Sequence, residues 1–470
     1  FFETNERIGT PEDGALAPEV EIHDEDGNKI GTGTVSVQST DAGTEKLWKA
    51  EFTVPEDFTN EDYVDLGFQI SVKDPSGNQR VIGFDETGTL IDATNTQTTQ
   101  APSHKARIDT KAPEVTLVSL ETSNQGLTDQ DKPSHLLARE GDNLTLYFKT
   151  SERIAGVDET STNTPLKPIV EFKAGSDKVF DAIVSRDTVA EDSQNEESLH
   201  KGLHWKAVIN IDPTSDANFS ELESDLGFTV KILDPSGNEY SAANSAASMP
   251  KPKNDQDQEL TARIDTITPV LSELSIASTN LGAESDGTRT GHLLAAEGDN
   301  LTLFFKTNER ILGVDETTSK PGLKPEVEFI SNSDNFTAVV SRNSTGEEKG
   351  IQWKAVLDVD PTSHSGLAGL ESDLGFKITV RDPSGNEREL GFDAAKISSD
   401  PSQPTTAPAK MARVDLKGPE VNSFAFSSSN DGLNESDFSS SRLVRDGDTL
   451  TLSFETSERL STSSDVSGSR

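Results

Sequence analysis

Apolar and polar residues alternate along most of this chain with a period of two. The stretches "LTLYFKT" (144–150), "KPIVEF" (167–172), "KVFDAIVS" (178–185), "HWKAVINI" (204–211) and "FTVKILD" (228–234) are rich in Val, Ile, Phe and Thr. Each is bounded by Gly, Pro, Asn, Asp or Ser. That pattern predicts short β-strands with one buried face, and no window of comparable length shows helical periodicity. A unit of about seven such strands around one central Trp predicts an all-β fold of tandem immunoglobulin-like antiparallel β-sandwich domains in an elongated array.

The pattern repeats. "KDPSGNQR" at Lys73 returns as "LDPSGNEY" at Leu233 and "RDPSGNER" at Arg381, so the aspartates Asp74, Asp234 and Asp382 are separated by 160 and 148 residues. Such spacing is a whole domain rather than a solenoid unit. "LWKAEF", "HWKAVI" and "QWKAVL" keep the same beat around Trp48, Trp205 and Trp353, positions that predict core packing. "LGFQISV", "LGFTVKI" and "LGFKITV" follow at Leu66, Leu226 and Leu374. Placing boundaries at the Asp-to-Pro segments gives four parts. Residues 1–110 form a repeat lacking its first strands, 111–266 and 267–416 are complete repeats, and 417–470 carry the first strands of another.

Composition narrows the partners. The chain has 42 basic and 82 acidic residues, a net charge of −40, and no cysteine. This excludes disulfides and thiolate chemistry, disfavours nucleic acid and anionic lipid, and favours divalent cations. No apolar run is long enough to insert in a membrane, and the reading expects export and anchoring signals outside this segment.

The ordered motifs resemble the bacterial immunoglobulin-like repeats of large secreted or surface adhesin-type proteins. They are an Asp-x-x-x-Pro linker, "GDNLTLYFKTSER" (141–153), a Trp strand and an Asp-Pro-Ser-Gly-Asn turn. The resemblance implies a secreted or surface-anchored stalk, often with calcium near the joints between repeats.

Tracing a sandwich pole by pole brings three distant segments to the end that faces the preceding domain. These are the linker, the "TSER" after the second strand, and the turn. The candidate metal ligands are therefore Asp109, Glu152, Asp234 and Asn238 in one repeat and Asp265, Glu309, Asp382 and Asn386 in the next. The first repeat retains Glu6, Asp74 and Asn78, and the last retains Asp415 and Glu458. Carboxylates and amides without His or Cys form a hard-oxygen set, which suits Ca2+ over zinc. The pentapeptide also reads as a plain hairpin turn, with Pro and Gly at the positions where their backbone preferences fit. The Glu140–Asp142 loop and its counterparts read as turns, as does "DEDGN" (24–28), which lacks the closing glutamate of an EF-hand loop because Val35 stands there.

No catalytic triad or spaced histidine cluster is present, and the chain reads as no enzyme. The expected function is a calcium-stiffened spacer in an extracellular or cell-surface protein. Its expected partners are neighbouring repeats and an unidentified surface or glycan receptor. The alternatives are a carbohydrate-binding module, and a filament subunit in which spare strands of one copy complete the truncated repeat of another, head to tail.

Overall fold

The computed structural model describes all of the chain except residues 7, 9–16, 39–45, 57, 59–62, 92–101, 103, 125–133, 155–166, 189–201, 255–256, 281–290, 310, 312–323, 333, 344–350, 401–404, 431–441, 459 and 461–470. The polar stretches 189–200 and 87–104, whose sequences read as loops, lie wholly and mostly outside the described residues. Contacts gather the chain into two compact units. The first comprises Phe1–Ser119, Thr145–Ile209 and Gly227–Lys253, the second Leu120–Leu144, Asn210–Leu226 and Asn254–Arg470.

The structure is all-β, organised as several discrete sheets. Burial alternates along the strands as the sequence pattern requires, for example at every second residue of Asn300–Thr307. Within residues 271–415, one sheet has the order Leu271–Ser278, Asn300–Thr307, Gln352–Asp358, Val339–Arg342. A second sheet runs His292–Ala295, Met411–Asp415, Glu371–Arg381, Glu326–Ile330, Asn335–Thr337, with Glu387–Phe392 also paired to Glu371–Arg381. One buried cluster takes Leu303, Phe305 and Trp353 from the first sheet and Phe329, Phe376 and Val414 from the second. Residues 115–265 repeat this strand order. All three Trp side chains are buried, which removes them as an exposed sugar-stacking platform.

Three features depart from the expected pattern. The sheets are mixed rather than purely antiparallel, because Thr261–Ile264 pairs in parallel with His135–Ala138, and Met411–Val414 likewise with His292–Ala295. The run "KVFDAIVS" divides at Ala182 into Lys178–Asp181 and Ile183–Arg186, which belong to different sheets. Its counterpart in the first repeat, Lys29–Val37, is unbroken. It pairs with Glu19–His23 through its first half and with Leu47–Glu51 through its second, so seven strands join one sheet.

The recurring "LGF" has a packing cause. A Cβ on Gly375 would lie 2.6 Å from the Phe392 carbonyl oxygen, and one on Gly67 would lie 2.8 Å from that of Phe84. Neighbouring hairpin backbone occupies the space a side chain needs. Gly375→Ala should therefore lower stability by about 1–3 kcal/mol, the usual cost of overpacking. At Gly227 the nearest atom is the movable Asn244 Oδ1 at 3.1 Å, so Gly227→Ala should cost less in the same urea titration.

Among the described residues, the hairpin Val421–Ser428 with Leu450–Thr456 has no facing sheet. Leu301, Leu303 and Phe305 are buried, whereas Leu450, Leu452 and Phe454 in the same "LTLxF" pattern are at least half exposed.

Candidate metal centre

The Asp-Pro-Ser-Gly-Asn turn closes a hairpin in all three copies. The Asp234 N–H donates to the Asn238 carbonyl at 3.1 Å, with equivalent bonds of 3.0 Å at Asp74 and 3.2 Å at Asp382. Gly77, Gly237 and Gly385 have φ of 86°, 96° and 88°, which glycine adopts without steric cost. The hairpin reading therefore accounts for the pentapeptide's backbone. It leaves open why the aspartate carboxylates converge with others.

Two triads converge. One carboxylate oxygen from each of Asp109, Glu152 and Asp234 lies within 4.8 Å of the others, and the same holds for Asp265, Glu309 and Asp382. Each triad draws on three elements. Asp265 is the last residue of strand Thr261–Asp265, Glu309 lies just beyond Asn300–Thr307, and Asp382 directly follows Glu371–Arg381. A threonine sets the glutamate: Thr307 Oγ1 donates to the Glu309 carbonyl at 2.6 Å and Thr150 Oγ1 to that of Glu152 at 2.7 Å. Both threonines are buried, so this lock is shielded from water.

Serine and asparagine of the turn tie it to the preceding strand end. Ser384 Oγ donates to Asp265 Oδ2 at 3.2 Å, and Ser236 Oγ to Asp109 Oδ2 at 3.2 Å. Asn386 Nδ2 donates to the Asp265 carbonyl at 2.9 Å and to Asp382 Oδ2 at 2.8 Å. Asn238 Nδ2 does the same toward the Asp109 carbonyl at 3.1 Å and Asp234 Oδ2 at 2.7 Å. The hard-oxygen set expects the asparagines to offer oxygen. In the structure they work through N–H groups, since a carboxylate only accepts hydrogen bonds.

Burial separates chemically identical turns. Asp74, in an exposed turn, is held below the usual carboxylate range by hydrogen bonds from the Asn78 side chain and backbone. Asp382 is fully buried and is pushed up to about 7, chiefly by loss of solvent, with the charge of Asp265 adding to it against the Asn386 hydrogen bonds. Burial likewise raises Asp265. Glu309 is pushed up to about 8 by burial and then by the negative charges of Asp382, Asp265 and Glu223. Among the described residues no donor meets its carboxylate. Three dehydrated acids with like charge disfavour ionisation together, and a bound cation reverses that preference. The all-oxygen set fits a hard divalent ion.

The partial sites are less assembled. Glu6 is exposed, and it lines a cavity of about 600 Å³ together with Asp74, Asn78, Phe2, Ile70 and Ile82. Asp415 ends strand Met411–Asp415 and accepts from the Lys417 N–H at 3.2 Å, while Glu458 is exposed. Among the described residues these two join no cluster of three acids. Asp142 and Asp299 serve their own loops, accepting from the backbone N–H of Arg139 at 2.9 Å and of Ala296 at 2.8 Å. Asp24 likewise caps its hairpin, accepting from the Asn28 N–H at 2.6 Å.

No family model and no curated protein matches the chain. Among solved structures, one concerning host cell surface retention of a 1.5-MDa bacterial ice-binding adhesin is similar at 10% identity and a TM-score of 0.30. That alignment covers 85% of this chain and 87% of the other. The mouse nectin-like molecule 4 ectodomain is similar at 10% identity and a TM-score of 0.21, covering 80% of this chain and 88% of that one. Likeness at these scores assigns no family.

Proposed function

We propose that the chain is a run of immunoglobulin-like β-sandwich repeats acting as a non-enzymatic spacer in an extracellular or cell-surface protein, with calcium bound where one repeat meets the next. The observation that carries this reading is the duplicated triad. Asp109 and Asp265 end one repeat, while the Glu152–Asp234 and Glu309–Asp382 pairs belong to the following one. An ion held by both sides removes bending freedom from the joint, and without it the carboxylates repel. Extracellular modules commonly bind calcium with dissociation constants of about 10⁻⁴–10⁻³ M, matched to its concentration there.

Small-angle scattering on the 470-residue chain tests this. Calcium should increase the maximum dimension and sharpen the distance distribution relative to chelator. Identical scattering and identical melting in both conditions would reduce the triads to turn and strand-end residues.

A further inference from the structure

We propose that Asn124 and Arg139 form a calcium-independent latch that grips the backbone of the Asp382–Asn386 turn and fixes the joint between the repeats 111–266 and 267–416. The proposal rests on the repeat boundaries of the proposed function, but not on its ion. Asn124 Nδ2 donates to the Ser384 carbonyl at 2.8 Å, and Arg139 Nη1 donates to the Gly385 carbonyl. These residues are 260 and 246 positions apart in sequence. The turn is thus used on two sides: Asp382 and Ser384 side chains face the acidic triad, and the Ser384 and Gly385 carbonyls receive donors from the preceding repeat.

The donors stand on braced loops. The Asn124 N–H donates to Thr122 Oγ1 at 3.2 Å, and that hydroxyl donates to the Leu137 carbonyl at 3.0 Å. The Arg139 N–H is held by Asp142 Oδ2 at 2.9 Å. The counterparts behave differently. Asn280 Nδ2 turns inward to Asp299 Oδ2 at 2.7 Å, and Asn430 Nδ2 to Asp448 Oδ2 at 2.8 Å. Asp142 accepts from Ser123 Oγ at 3.3 Å just as Asp299 does from Thr279 Oγ1 at 3.3 Å, but the Asn124 amide reaches the neighbouring turn. Alanine stands at 296, the position equivalent to Arg139, so the repeat 267–416 lacks the guanidinium. Two N–H donors on neighbouring loops thus meet two successive carbonyls of one turn, which is a geometry-specific grip.

The chain has no cysteine, so Ser220→Cys with Thr337→Cys gives two unique spin-label positions, one in each repeat and both in the second compact unit. In chelator, the inter-label distance distribution should be narrow in the wild type and at least twofold broader in Asn124→Ala/Arg139→Ala. Arg139→Ala alone, which leaves the braced Asn124 loop intact, should broaden it by an intermediate amount. Equal widths in wild type and both variants overturn the latch. The calcium reading fails separately: added calcium would then leave the double variant as broad as it is in chelator. If calcium narrows all three proteins equally from a common broad distribution, the ion holds the joint and the latch does not.

Discussion

Glu309→Gln is expected to change stability in opposite directions with and without calcium. No described donor meets the Glu309 carboxylate, so the amide removes charge without breaking a hydrogen bond. In chelator at pH 8 the variant should be the more stable protein, because Asp265 and Asp382 lose a like-charged neighbour in a dehydrated site. With calcium the order should reverse. A site saturated at one hundred times its dissociation constant stabilises the fold by about 2.7 kcal/mol, and most of that should disappear at this joint. Isothermal titration should show the loss of one binding event, with the event at Asp109, Glu152 and Asp234 retained. A variant that binds as many ions as the wild type would remove Glu309 from the ligand set.

The pH dependence of stability should also change sign with calcium. A carboxyl whose folded value lies above its unfolded one holds its proton more tightly when folded. Its contribution is full below the unfolded value and is lost as pH rises through the folded one. For Glu309 that window runs from 4.5 to about 8, and for Asp382 from 3.8 to about 7. The raised Asp265 acts in the same direction. In chelator, urea unfolding should therefore show stability falling between pH 5 and pH 8.5. Calcium takes the ionised carboxylates and expels their protons, so its stabilisation should grow over the same window. Binding in an unbuffered solution should acidify it. A calcium effect of equal size at pH 5 and pH 8 would exclude these acids as the ligands.

Much of this was legible because each copy repeats the others. The three Trp positions and the alternation of "LTLFFKT" follow from period-two burial, which any half-buried strand must obey. The triad residues could be named because strand direction fixes the end of a domain at which each loop emerges. The parallel pairing of Thr261–Ile264 was not legible, since it depends on where the chain re-enters after the polar stretch that follows Ala243. The break at Ala182 leaves no mark in an alternating pattern that continues through it. The asparagine N–H bonds were not legible because an amide offers both a donor and an acceptor, and its neighbours decide which is used. Two signals were present but unread: the threonine two residues before each candidate glutamate, and the serine inside every copy of the pentapeptide. The threonine hydroxyl holds the backbone carbonyl of the glutamate, and Ser236 and Ser384 hold the carboxylate of the aspartate that ends the preceding strand.

If the repeats meet at the proposed boundaries, each triad is divided between the end of one repeat and the next, which bears on how such a chain can change length. On those boundaries neither complete repeat carries a whole site, yet both carry the same two halves: Glu152 and Asp234 with a terminal Asp265, and Glu309 and Asp382 with a terminal Asp415. Any recombination that cuts between Asp265 and Pro269, or at the matching places, rejoins compatible halves whichever copies are brought together. Copies can be gained or lost in whole numbers with no new ligand to invent, whereas a cut within a repeat strands its acids without partners. Length would be the property most free to vary between related chains, and the acids at the seams the least.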